Sequence, residues 1–564
     1  MAAKLDGAVD FDRAITRQSL REAVRVAIES AHQAGELALP HGVEAAEIAF
    51  EMRLARRENG VFSCTAALAL APLTRRRPRE IAEILRARLQ AAKLWPGSIE
   101  ETNGFLNFRM DKAFVSEQIT RAAREGARYG AGNSLAGRRA NVEFVSSDPT
   151  GPLTLSSARI AALGEALCRL LEAQGASVTR EYFVNDVPTS SKMRLLGESV
   201  GAFYEVSFGR RGETPEGILQ DNFVRRVARE IASRDGNSHL LEPESERNLF
   251  FARQAAAAAV QSQKNALQNF GVRFDLWTSE NTLRAEGRVV AAVEKLRALG
   301  HTFERDGALW LRTTSFGDES DRPLMRPTQS VPGGQPTYLA SDIAYHVWKF
   351  ERGFDLVLDI WTAEHRPYVA RTRAALSAIG CDVTRLETLV CEGARLLEDG
   401  EAVKSAGGEP LLLEDALGEV DADTLRLHLL LASWDEICEI DLEIATRDDE
   451  RNAAYAARLA PSRLATMIGE CAAAPLSEAA LNDDEAELAR LVALWPDTLE
   501  NAASRREPQL VARWTVDFAG AVRRVLAAVR PGAASQARLD LLRGAQAAIT
   551  SALKVLGIEA RQQF

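Results

Sequence analysis

No apolar run in this chain approaches the ~20 residues that span a bilayer. The first stretch, MAAKLDGAVDFDRA, also lacks the apolar core of a secretory signal. Membrane insertion and secretion are therefore not expected. The six cysteines (Cys64, Cys168, Cys381, Cys391, Cys438, Cys471) are scattered, with no CxxC pair and no histidine at zinc-ligand spacing. That pattern argues against a disulfide framework and a structural metal. It reads as reduced, core-packed thiols in a cytoplasmic protein. A positive excess is missing too. A net charge of −10 does not advertise nucleic-acid binding, although a local basic stripe suffices for it.

What is present is a globular composition, 46% hydrophobic and 26% charged over 564 residues, enough for roughly three or four domains. The most informative stretch is VEFVSSDPTGPLTLSSAR, residues 142–159. VEFV is a short apolar strand. Asp148-Pro149-Thr150-Gly151-Pro152 is dense turn chemistry. Ser156 and Ser157 stand where a helix begins and have capping side chains. Ile160, Leu163, Leu167, Leu170 and Leu171 then share one helical face, which Gly175 ends. A second strand covers residues 178–184. This is a βαβ unit, and its first turn is where open α/β sheets bind nucleotides.

VEFVSSDPTGPL resembles the signature of arginyl-tRNA synthetases, class I enzymes whose version runs roughly VEFVSANPTGPL and continues as His-Val-Gly-His-Gly-Arg. EYFVND (181–186), FDLWTSENTL (274–283), DGALWLRTTSFGD (306–318) and PTYLASDIAYHVWKFERGFD (336–355) are similar to the family in the same order. So are RPREIAEIL, the strand-like NGFLNFRM (103–110) and RYGAG (128–132) nearer the start. The resemblance implies a multidomain α/β fold. Its parts are an N-terminal α+β tRNA-elbow-type domain at 1–138, a Rossmann-type parallel-sheet core at 139–415 with a helical connective insertion at about 188–330, and an all-α anticodon-binding-type domain at 416–564. Periodicity adds helices over Arg17–Ala34 and Ile81–Ala92, and breaks in the C-terminal helices at Pro475, Pro496, Pro508 and Pro531-Gly532. On the tRNA side, the candidates are Arg75, Arg76, Arg77, Asn103 and Phe105.

A guanidinium is planar and always charged, so its pocket needs carboxylates and a flat aromatic partner. The resemblance assigns that role to Glu143, Tyr338 and Asp342. Asp148 replaces the family's Asn, and an ionised carboxylate accepts hydrogen bonds without donating them. Asp148 thus favours an ammonium and repels a carboxylate, which points to a ligand lacking a free carboxylate or bound differently. His365 survives in an altered DIWTAEHRPY segment.

The activation machinery is changed more. Thr154 and Ser157 stand at the two His positions and Ser156 at the close-packing Gly. VKSAGG (403–408) keeps Lys404 but lacks the second loop lysine, and Gly151 stands where some relatives place a substitute lysine. Anion binding falls to Gly151, Ser156, Ser157 and the helix N-terminus. The expectation is a family paralogue without normal ligase activity that binds arginine or another guanidinium compound, with tRNA and a protein partner as further candidates. One alternative is a working ligase that uses ATP with magnesium. Another is a pathway enzyme that uses arginine or arginyl-tRNA.

Overall fold

A computed structural model describes the chain apart from residues 1–14, 56–59, 211, 213–214, 216, 218–220, 328–333, 406–409, 473–479, 531–534 and 562–564. The expected breaks at Pro475 and Pro531-Gly532, and the tip of the VKSAGG loop from Ala406, lie outside the described residues. The chain forms two compact units, 135–454 and a second that joins 1–134 to 455–564. Among the described residues no helix is long and apolar enough to cross a membrane.

Unit 135–454 is built on a five-stranded parallel sheet. In chain order the elements of this sheet and the helices used below are β1 (Arg139–Glu143), α1 (Leu155–Ala173), β2 (Ser177–Val184), α2 (Ser191–Ser207), α3 (Asp221–Asp235), α4 (Glu244–Asn269), β3 (Leu276–Ser279), α5 (Tyr338–Glu351), β4 (Leu356–Thr362), α6 (Tyr368–Ala378) and β5 (Leu386–Cys391), and the unit also holds a four-stranded and a three-stranded sheet. The spatial order is β3-β2-β1-β4-β5. The order reverses between β1 and β4, the switch point where doubly wound sheets open a crevice beyond the strand ends. Register places Glu143 beside Asp359 there.

Helix α1 is buried almost all round, as suits a helix against a sheet. Gly164 permits the close approach, because a Cβ there would lie 2.4 Å from the Phe144 ring. α2, α3 and α4 form a helical layer with its own core around Val200, Phe223, Val227 and Phe251. Arg159, fully buried, ties α1 to two loops. Its guanidinium donates to the carbonyls of Glu392 (3.0 Å) and Gly393 (2.8 Å) and to those of Ser433 and Glu436.

In the second unit a four-stranded antiparallel sheet packs on helices Arg17–Gln33, Ala66–Thr74 and Pro78–Ala91 around Phe62, Leu85 and Phe108. The strand expected over 103–110 is Phe105–Met110. Asn103 (φ +53°) and Gly104 instead turn the hairpin from Gly97–Thr102, the use to which Asn-Gly is best suited.

The C-terminal residues form helices Ala453–Ala472, Asp483–Arg505, Gln509–Ala528 and Gln536–Leu556. Pro496 does not break its helix as expected. Proline removes the N–H that would bond the carbonyl four residues earlier, and that carbonyl, on Val492, instead accepts from the Tyr129 hydroxyl at 3.0 Å. Trp495 in turn donates to the Tyr129 carbonyl at 2.9 Å, and Gly130 leaves room for the indole, since a Cβ would lie 2.5 Å from it. The RYGAG motif is thus a docking point for this helix. All six cysteines are unpaired, and five of them are buried.

Candidate active site

The site begins where β1 ends. Val145 (φ +69°) and Ser146 (φ +39°) take the left-handed region, which is costly for a β-branched residue, on the order of 1–3 kcal/mol. Ser146 is fixed by its hydroxyl, which donates to Glu143 Oε1 (2.8 Å) and accepts from the Phe183 N–H (3.0 Å). The turn runs on to Thr154, which caps α1 by accepting from the Ser157 N–H at 3.3 Å. The cap therefore lies two residues before the expected Ser156. Ser157 is the third helical residue, with its hydroxyl 3.2 Å from Thr154 Oγ1 and 3.4 Å from Ser147 Oγ. The Ser156 hydroxyl accepts from the Ala394 N–H at 3.2 Å and rests on Gly393, where a Cβ would meet it at 2.9 Å.

The helix N-terminus is less open than expected. The Leu155 N–H donates to the Leu411 carbonyl at 2.8 Å, and the Ser157 N–H is taken by the cap. Beside it lies a cavity of ≈ 260 Å³ whose lining includes Thr154, Ser156, Arg395, Lys404 and Leu411. Gly151 and Ser157 are not part of that lining. Gly151 is buried, and its carbonyl accepts from the Gln263 side chain at 2.9 Å.

At the switch point is a buried charge cluster. Lys349, fully buried on α5, forms an ion pair with Glu143 and a second with Asp359 at 2.7 Å. His346, one turn earlier, contacts Asp359 Oδ2 through Nε2 (2.7 Å) and Asp342 Oδ1 through Nδ1 (3.2 Å). Thr372 donates to Asp342 Oδ2 at 3.1 Å. Burial raises the Glu143 carboxyl, with Lys349 opposing. Burial would raise Asp359 as well, but Lys349 and His346 outweigh it and hold that carboxyl below its ordinary range. Burial disfavours an imidazolium at His346, yet Asp342 and Asp359 raise it well above the usual histidine value. An imidazolium donates from both nitrogens, here from Nε2 to the Asp359 carboxylate and from Nδ1 to the Asp342 backbone carbonyl at 2.8 Å, with the Asp342 carboxylate beside it.

Among the described residues, Asp342 and Glu143 are joined through the chain of His346, Asp359 and Lys349. The retention of buried Glu143 is accounted for by the protein's own ammonium, because a buried acid needs a cation and Lys349 is that cation. Tyr338 opens α5, 58% exposed, and Asp342 follows one helical turn later. Asp148 is paired with Lys192, the second residue of α2, and lies 3.4 Å from Asn185 Nδ2. Burial disfavours the Lys192 ammonium, yet Asp148 raises it above the usual lysine value. His365 is exposed, 2.7 Å from Thr362 Oγ1.

Sequence reasoning missed Lys192, His346, Lys349 and Asp359. A signal existed for three of them: His346 and Lys349 are spaced to share a helix face with Asp342, and Asp359 is a lone acid in the apolar run LVLDIW. In the other unit, Arg75, Arg76 and Arg77 are exposed, and Arg77 precedes the helix Pro78–Ala91. The Asn103-Gly104 turn packs on that helix start, since a Cβ on Gly104 would lie 2.7 Å from Pro78. The guanidinium of Arg53 lies over the Phe105 ring at 5.5 Å.

A parallel sheet in this order, an acidic switch point, an antiparallel N-terminal sheet and a C-terminal helical bundle define the class I aminoacyl-tRNA synthetase fold. Residues 454–564 match the DALR anticodon binding domain, and residues 18–110 match the arginyl tRNA synthetase N terminal domain. The chain is 31% identical to the arginine–tRNA ligase of Bacillus licheniformis over 97% of its own length and 98% of that protein's. It is 34% identical to that of a Geobacter species, strain M21, over 90% and 94%. The solved arginyl-tRNA synthetase of Thermus thermophilus has the same fold, with a TM-score of 0.74 at 19% identity, covering 98% of this chain and 100% of that one. The chain belongs to the arginyl-tRNA synthetase family.

Proposed function

We propose that the protein is an arginine–tRNA ligase with rebuilt ATP-handling residues, converting arginine, ATP and tRNA to arginyl-tRNA, AMP and pyrophosphate. The kinship along nearly the whole chain with proteins named arginine–tRNA ligase carries this reading. The guanidinium lies against Asp342 with Tyr338 as its flat partner, and His346 and Thr372 orient the carboxylate. The other end of the amino acid is a zwitterion, and the Asp148–Lys192 ion pair complements it: Asp148 faces the ammonium and Lys192 the carboxylate. This pairing replaces the idea of a ligand without a carboxylate, because Lys192 offsets the charge of Asp148.

The arginine carboxylate oxygen attacks the α-phosphorus, and pyrophosphate leaves with the electrons of the broken P–O bond. A tRNA ribose hydroxyl then attacks the acyl carbon and releases AMP. ATP enters as its magnesium complex, the metal travelling with the phosphates. Among the described residues no three His, Cys, Asp or Glu side chains gather as metal ligands. Lys404 and Arg395, which line the cavity beside the start of α1, are left to meet the phosphate charge. Losing one preorganised donor costs about 10²–10³ in rate, and several losses do not add fully. Adenylate formation at least ~10⁴-fold below an enzyme with the full donor set follows.

A second reading, a paralogue that keeps arginine and tRNA binding but forms no adenylate, is favoured by one observation: the Thr154, Ser156 and Ser157 hydroxyls are spent on internal contacts. Arginine-dependent ATP–pyrophosphate exchange, run beside calorimetry with arginine, separates the two. Exchange supports the first reading. Binding without exchange supports the second, and neither signal removes both.

A further inference from the structure

The turn that carries Asp148 is held from beneath by two residues outside the signature. Gln263, on α4 in the helical layer, is 1% exposed. Its amide nitrogen donates to the carbonyls of Asp148 (3.0 Å) and Gly151 (2.9 Å). Its amide oxygen accepts from the Tyr182 hydroxyl at 2.8 Å. That hydroxyl, fully buried at the end of β2, accepts from the Ser147 N–H at 3.0 Å. Both donors and the acceptor of the Gln263 amide are thus used, which fixes the way the amide faces. Tyr182 is locked in turn by stacking on Trp277, with ring centroids 4.2 Å apart at 19°, and the Lys264 ammonium lies 4.7 Å from the centre of the Trp277 ring.

The backbone being held is not relaxed. Val145 and Ser146 stand in the left-handed region immediately before the three groups that the clamp engages. A left-handed valine persists where its surroundings over-determine it, and here those surroundings are the Ser146–Glu143 contact on one side and the Tyr182–Gln263 clamp on the other.

We infer that Gln263 and Tyr182 are positioning residues: they hold the strained 145–151 turn so that Asp148 faces the amino acid, and they make affinity for that substrate depend on the docking of α4. The inference rests on the arginine-ligase reading for the identity of the substrate. The clamp itself is tested without it.

The full-length chain is compared with Tyr182→Phe, which keeps the ring stack, and Gln263→Met, which keeps the volume. Deuterium uptake is followed in peptides covering 145–157 and, as a control, the helix Gln509–Ala528. In both variants, uptake at 145–157 is expected to accelerate about five- to tenfold, the effect of losing about one net hydrogen bond, with the control peptides unchanged. In pyrophosphate exchange, KM for arginine rises by a similar factor while kcat stays within about twofold. If the wild type forms no adenylate, the calorimetric Kd for arginine takes the place of KM. A wild type that binds no arginine defeats the ligase reading, and the clamp then stands or falls on deuterium uptake alone. Unchanged uptake at 145–157, or equal acceleration in the control peptides, overturns the inference, as does a fall in kcat with no change in KM or Kd.

Discussion

Lys349→Met removes the ammonium between Glu143 and Asp359 while nearly preserving volume. Both carboxylates are buried, face one another in register across β1 and β4, and are left with one imidazolium between them and Asp342. Breaking a buried pair costs about 3–5 kcal/mol, because the surviving charge has neither water nor a partner. For a unit of this size that corresponds to a fall in Tm of roughly 4–8 °C. The sign of the pH dependence follows from linkage. Without Lys349, burial raises Glu143 further above its unfolded value, and Asp359 loses the larger of the two charges that hold its value down. The penalty is therefore full at pH 8 and shrinks as pH falls toward the Glu143 value and that carboxyl protonates. In the wild type, Asp359 behaves oppositely: its depressed value contributes stability at neutral pH that is lost as pH falls through the folded value. The variant and wild-type melting curves, recorded by circular dichroism, should lie far apart at pH 8 and closer at pH 5. A loss below about 1 kcal/mol at pH 8, or a gap independent of pH, would refute the reasoning that Lys349 is the counter-ion of the cluster.

Lys192→Gln should weaken arginine binding about tenfold, through loss of the group that faces the carboxylate and exposure of that carboxylate to an uncompensated Asp148, and Asp148→Asn in the same chain should recover only the repulsive part; calorimetry on the single and double variants reads this directly. Restoring imidazoles with Thr154→His and Ser157→His together should raise exchange by at least ~10², less any loss from removing the Thr154 cap, which costs about 1 kcal/mol of helix stability. Stability should also fall at alkaline pH, because the raised His346 value contributes stability that is fully present below the unfolded histidine pKa and lost as pH rises through the folded one. Thermal melts in His346→Gln should lose that alkaline slope.

The β1–α1–β2 unit was legible in the sequence because its cues are local: an apolar strand, turn residues, one apolar helical face and a terminating glycine. The cap slipped by two residues because three hydroxyl-bearing side chains crowd one helix start, and the choice among them depends on what each meets across the fold. Ser156 meets Ala394, which leaves Thr154 to cap. The guanidinium residues were legible only through resemblance. That Glu143 is matched by Lys349, 206 residues away, depends on β1 and β4 lying side by side, which no local pattern encodes. The same holds for Pro496, whose helix survives because Tyr129, 363 residues from Val492, takes the carbonyl that proline leaves unpaired.

The most direct test is pyrophosphate exchange driven by arginine, compared with citrulline, its uncharged analogue, and repeated on Asp342→Asn. An arginine ligase that grips the guanidinium through Asp342 should show slow exchange that begins when arginine is added, does not begin with citrulline, and falls to background in the variant. Exchange that is equal with citrulline, or that survives Asp342→Asn undiminished, would contradict that assignment.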